Sequence, residues 1–153
     1  MSIGPVKKTF SVLHARTFCH ATEDLDRVRT ALENAVGESE LRVSKTEGHH
    51  GNLITILETT VEDADMMDRF FSNLGRDDVE ELLSSLNSRI DDSCNLFIRL
   101  DKQSAFKGEM KLGRNDDVIS VRVHVLSFPS KCEVAASTVK EYLRSRQTGK
   151  GTQ

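Results

Sequence analysis

A chain of 153 residues, 37% hydrophobic and 29% charged, has the size and composition of one globular domain that can bury a core without staples, which excludes disordered and fibrous classes. No apolar run approaches the ~20 residues of a membrane-spanning helix and the amino-terminal residues have no apolar signal core, so a cytoplasmic protein with no membrane partner is expected. The net charge of −3 excludes a uniformly basic surface but not a divided one: residues 22–40 carry six acids against two bases and residues 62–92 ten against three, leaving 16 Lys and Arg against eight acids elsewhere.

Thr9 to Cys19 reads as a strand. Thr22 stands where an N-cap belongs, and Glu23, Asp24 and Asp26 favour the positive end of a helix dipole. Leu25, Val28, Leu32 and Ala35 recur at helical spacing up to Gly37, which predicts a helix of about four turns. Leu41 and Val43 suggest a short strand, a glycine-bearing loop follows from Lys45 to Asn52, and Leu53 to Thr60 is rich in β-formers. Two acidic amphipathic helices come next, one with Ala64, Met67, Phe70, Phe71 and Leu74 on its apolar stripe, the other with Val79, Leu82, Leu83, Leu86 and Ile90. Leu96, Ile98 and Leu100, and then Ile119, Val121, Val123 and Val125, alternate with other residues as half-buried strands do. Ser130 with Glu133 fits a capping box before a last helix carrying Val134, Val139, Tyr142 and Leu143. Order is expected over about residues 9 to 146, with a disordered tail from about Gln147.

This succession predicts one α+β domain over residues 1–153: a single mixed, mainly antiparallel sheet with amphipathic helices packed on one face. The other face of the sheet is left open. In the first strand Phe10, Val12, His14, Arg16, Phe18 and His20 fall on one side; Phe97 and Arg99, and Arg122 and His124, fall opposite the apolar sides of their strands. Basic side chains interleaved with aromatics on a sheet can hold phosphates with the former and stack unpaired bases on the latter. Core burial of Phe10 and Phe18, or a dimer contact, is the competing reading.

Two local motifs stand out. In Glu47-Gly48-His49-His50-Gly51-Asn52, glycines flank paired histidines and let the loop bring imidazoles and backbone amides close to a ligand. Neighbouring histidines chelate one ion poorly, and no further ligand spacing is present, so neither a metal nor another cofactor is expected. Cys19, Cys94 and Cys132 are odd in number and far apart, which favours free thiols over disulfides. The second motif, Arg99-Leu100-Asp101-Lys102-Gln103, sets mixed charges and an amide at a strand end, where a salt-bridged terminus is the commoner use of such residues.

Together with Phe18-Cys19-His20-Ala21-Thr22-Glu23-Asp24, Asn115-Asp116-Asp117-Val118-Ile119 and Phe128-Pro129-Ser130-Lys131, these motifs resemble a family of archaeal RNA-binding, exosome-associated proteins over about residues 9 to 145. The resemblance implies a fold similar to that of the ribosomal protein that binds 5S ribosomal RNA, a homodimer, and association with the exosome or other RNA-processing proteins. It carries over to His49, His50, Gly51 and Asn52, and to Arg99, Asp101, Lys102 and Gln103; Leu53 stands where many relatives are expected to have proline. The candidate RNA-binding set is therefore His14, Arg16, His49, His50, Asn52, Arg99, Lys102, Gln103, Arg122 and His124. Phosphate contact falls to Arg16, Arg99, Lys102 and Arg122, hydrogen bonding to Asn52, Gln103 and the histidines, and Asp101 is expected to orient Arg99 or Lys102. Two alternatives remain: an adaptor whose acidic helices dock on a basic protein, and a metal-independent ribonuclease using His49 or His50 as general base with Lys102 as electrostatic stabiliser. With no second well-placed acid and no carboxylate cluster, a non-catalytic protein is expected.

Overall fold

Residues 8–48 and 51–151 are described by the structure, a computed structural model. Their elements run β1 (Phe10–His20), α1 (Leu25–Val36), β2 (Leu41–Glu47), β3 (Leu53–Val61), α2 (Ala64–Ser72), α3 (Arg76–Arg89), β4 (Asn95–Asp101), α4 (Lys102–Phe106), β5 (Val118–Val125) and α5 (Cys132–Gly151). The strands form one sheet in the order β2-β3-β1-β5-β4. Every pairing between these strands is antiparallel, so the sheet is not mixed.

The side chains that alternate inward close the core. Leu13, Ala15 and Cys19 of β1, Leu57 and Val61 of β3, Leu96, Ile98 and Leu100 of β4, and Ile119, Val121, Val123 and Val125 of β5 are buried in one cluster with the apolar stripes of α1, α2, α3 and α5. Because all four amphipathic helices bury their stripes against the same side of the sheet, the α+β arrangement with a one-sided helix layer is as expected. Phe10 departs from the alternation. A register irregularity between Phe10 and Val12 turns its ring inward, where it stacks on Phe71 at 4.8 Å and meets Tyr142 edge-on at 4.9 Å.

Helix starts differ from expectation where several capping residues compete. Asp24, not Thr22, caps α1, its carboxylate accepting from the Asp26 N–H at 3.0 Å. Asp63 does the same for α2 through the Met66 N–H. The box expected at Ser130 is not formed, since α5 begins at Cys132 and the Ser130 hydroxyl donates instead to the Ser127 carbonyl at 3.3 Å. Gly37 ends α1 at φ 87°, a left-handed backbone that glycine adopts without the strain of a Cβ. α5 runs from Cys132 to Gly151.

Candidate nucleic-acid interface

Antiparallel register dictates which side chains share the uncovered face. One row across the sheet reads Arg42, Glu58, Arg16, Ser120 and Arg99 from β2 to β4. The adjoining row reads Thr60, His14, Arg122 and Phe97, and a third sets Val12, His124 and Asn95 side by side. Four strands thus each place one arginine on the same surface; three of them, Arg16, Arg42 and Arg122, line a depression of about 380 Å³ with His14, Glu58 and Phe97, and Arg99 stands at the end of the row. Phe97 and Phe18 remain 43% and 39% exposed, and the Arg16 guanidinium lies 5.5 Å over the Phe18 ring.

Local partners tune this surface. His14 Nδ1 is 3.1 Å from the Thr60 hydroxyl. Burial, and then the nearby Arg122 and Arg42 charges, hold its imidazole below the ordinary histidine range despite Glu58 and Glu62. His124 Nδ1 pairs with Asn95 Oδ1 at 3.2 Å. Arg99 donates to the Asn115 carbonyl at 3.3 Å and sits 3.8 Å from a fully exposed Asp116 carboxylate, a pairing that water screens and a phosphate can displace. The acidic segments hold α1, α2 and α3, which all pack on the opposite side of the sheet, so the layer itself separates their carboxylates from the arginines.

Of the residues singled out in the sequence, His14, Arg16, Arg99, Arg122 and His124 come together on this face. Lys102 does not. It is 3% exposed, and its ammonium donates to the Phe18 carbonyl at 2.7 Å, to Glu23 at 3.0 Å and to Asp117 at 2.8 Å. All three of its donors are engaged, so this lysine fastens the ends of β1 and β5 to the start of α1 and offers a phosphate nothing. Asp101 orients neither Arg99 nor Lys102 but caps α4, accepting from the Ser104 N–H and hydroxyl at 2.9 and 2.8 Å. Gln103 is exposed beside Asp117, to whose carboxylate its amide donates at 2.9 Å, beyond the arginine rows. Asn52 is exposed in the β2–β3 turn, its carbonyl accepting from the Gly48 N–H at 2.7 Å, past the row of Thr46, Ile54 and His20. His49 and His50 lie outside the described residues. Arg42 and Glu58 were missed by sequence reasoning, although Arg42 sits between Leu41 and Val43 where period-2 alternation sets it on the other face. Among the described residues no group of three or more His, Cys, Asp or Glu could hold a metal ion, and no helix is long and apolar enough to cross a membrane.

Comparison with known proteins places the chain in a family. A family model described as RNA binding matches residues 13–125, from within β1 to the end of β5. The RNA-binding protein PAB1135 of Pyrococcus abyssi is 35% identical over 141 residues, covering 86% of this chain and 92% of its own. Among solved structures, protein AF2318 from Archaeglobus fulgidus superposes with a TM-score of 0.77 at 33% identity, covering 86% of this chain and 98% of that one. Mth689, a DUF54 protein from Methanothermobacter thermautotrophicus, gives 0.78 at 30% identity, covering 88% and 98%. The chain therefore belongs to this archaeal RNA-binding family.

Proposed function

We propose that the uncovered face of the sheet holds single-stranded RNA without cleaving it, with Arg16, Arg42, Arg99 and Arg122 on the phosphates and Phe97 and Phe18 against unpaired bases. One observation carries this reading: Arg16, Arg42 and Arg122, from three strands, line one depression together with the half-exposed Phe97, with Arg99 and Phe18 beside it on the same face, which no helix of the described residues covers. Guanidinium groups suit phosphate, and a flat face with aromatics suits stacking rather than insertion into a duplex groove. The imidazoles of the face have a ring nitrogen committed to Thr60 and to Asn95, which supports a positioning role over proton transfer. The acidic helix layer faces away, which leaves a second surface for a protein partner, such as an exosome component or a second copy of the chain, while RNA is bound.

The test is binding of a labelled single-stranded RNA by fluorescence anisotropy. Arg122→Ala and Arg16→Ala are each expected to weaken binding several-fold while leaving the thermal midpoint unchanged, and the labelled strand should come through intact. Full affinity in the double variant would remove the arginine face from consideration, and cleavage of the strand would remove the non-catalytic reading.

A further inference from the structure

A second concavity lies where β1 runs into α1 and β4 into α4. It encloses about 350 Å³, and its lining includes Thr22, Glu23, Arg27, Gln103 and Phe106 over a floor of Val28 and Ala31. It adjoins the arginine face through one link: the Lys102 ammonium bonds both Glu23, in the wall, and the carbonyl of Phe18, whose ring is on the open face. We propose that this cavity receives an unpaired guanine base of bound RNA, so that the chain reads one base there while the arginine face holds the backbone. The inference rests on the reading of that face as an RNA surface.

Three observations lead to guanine. The first is the stack: the Arg27 guanidinium lies 5.4 Å over the Phe106 ring, two planar surfaces at the rim that suit a flat heterocycle. The second is the sign of the wall. Glu23 and Asp24 line the cavity and Asp117 stands behind Gln103, against Arg27 and a Lys102 whose ammonium is already held by Glu23, Asp117 and the Phe18 carbonyl, so a phosphate finds no free lysine there and the base is the part that fits. The third is the free hydrogen-bonding capacity. Glu23 Oε1 already accepts from the His20 N–H and from Lys102, while its Oε2 accepts nothing among the described residues. The Gln103 amide nitrogen is committed to Asp117, which leaves its Oε1 as a second free acceptor. A wall of acceptors selects an edge of donors. Guanine presents N1–H and N2–H₂ side by side, whereas uracil has a single N–H, and adenine and cytosine each offer one amino group beside a ring acceptor.

The experiment compares a uridine tract with the same tract carrying one internal guanosine, and in parallel titrates guanosine and uridine nucleosides into the isotopically labelled protein. The guanosine strand is expected to bind about tenfold more tightly. That preference should vanish in Glu23→Gln, which keeps Oε1 for Lys102 but turns the free acceptor into a donor. Arg27→Ala, on an exposed side chain that leaves the fold alone, should reduce it if Glu23→Gln proves unstable. Guanosine alone should shift the resonances of the Phe106 ring and the Gln103 amide, uridine should not, and the Arg16→Ala, Arg122→Ala double variant should respond as the wild type does. Equal affinity for the two strands, a preference for adenosine or cytidine, or no guanosine response at Phe106 overturns the assignment and leaves the arginine face standing. A guanosine response with no binding of either strand retires the arginine face and keeps the pocket.

Discussion

At the scale of single residues, Lys102 and His14 have the most to say. A buried ammonium held by two carboxylates and a carbonyl is neutral in net benefit until one partner is removed, after which the remaining charges stay desolvated and unpaired. Lys102→Met is therefore expected to lower stability by about 3 kcal/mol and the thermal midpoint by roughly 10 °C, without the selective loss of RNA affinity that a phosphate contact would give. Burial pushes the Asp117 carboxyl up, but the Lys102 and Gln103 hydrogen bonds and the lysine charge outweigh it and hold the group below the ordinary carboxylate range. Its folded value is thus below its unfolded one, so the stabilisation is complete above about pH 4 and lost as pH falls through the folded value. The gap between wild type and Lys102→Met should accordingly narrow in acid, and a gap that stays constant in pH-dependent melts would contradict the assignment. His14 has the same sign for a different reason: burial and two arginines depress it, so free-protein stability is full above its unfolded value and declines as pH drops through the folded one. Phosphates laid beside it reverse the field and favour the imidazolium. RNA affinity should then rise by up to about tenfold per pH unit as pH falls from 7.5 towards 6, and His14→Gln should flatten that profile. A wild-type profile already flat over this window would place His14 away from the bound strand.

At the scale of elements, what was legible followed from periodicity and what was not followed from competition between near-equal local signals. The alternation in β4 and β5 is uninterrupted, so the inward and outward sides of Leu96 to Asp101 and Ile119 to Val125 could be read directly. β1 carries the same alternation but with an irregularity after Phe10; one extra residue flips everything before it, which is why Phe10 grouped with Arg16 in sequence and with Phe71 in space. β2 ran longer than its two apolar residues suggested because Ser44 to Glu47 pair with Leu53 to Ile56, a partner that composition alone does not reveal. Helix starts failed in a similar way. Thr22, Asp24 and Asp26 can all cap, and Asp24 is the one whose carboxylate accepts from the first turn of α1. The candidate site was legible to the extent that it rests on strands: arginines at alternating positions are fixed by the pleat, whereas Lys102, Asp101 and Gln103 leave the strand for a helix turn, and there spacing says nothing about direction. The cavity beside them depends on α1 and α4 meeting, a contact between segments about 70 residues apart that no local pattern announces.

At the scale of the whole molecule, the total charge of −3 is a poor guide because the sheet divides it. The acids of α2 and α3 lie across a layer roughly 10 Å thick from the arginines, about one Debye length at physiological salt, so a strand on the arginine face is largely screened from them. On the proposed face a strand would instead meet Arg16, Arg42, Arg99 and Arg122 together with Glu58. If all four guanidinium groups replace counterions on single-stranded RNA, the logarithm of the binding constant should fall with the logarithm of salt at a slope of about −3. Between 50 and 200 mM salt that corresponds to a loss of roughly fifty-fold. Removing Arg16 and Arg122 together should reduce the slope by about 1.4, while Asp77→Asn and Asp78→Asn on the far side should leave it nearly unchanged. A slope that ignores the arginines, or one that steepens when the α3 acids are neutralised, would mean that the strand runs over the helix layer. The dependence on both substitutions separates those two routes, because each surface carries only one of the pairs.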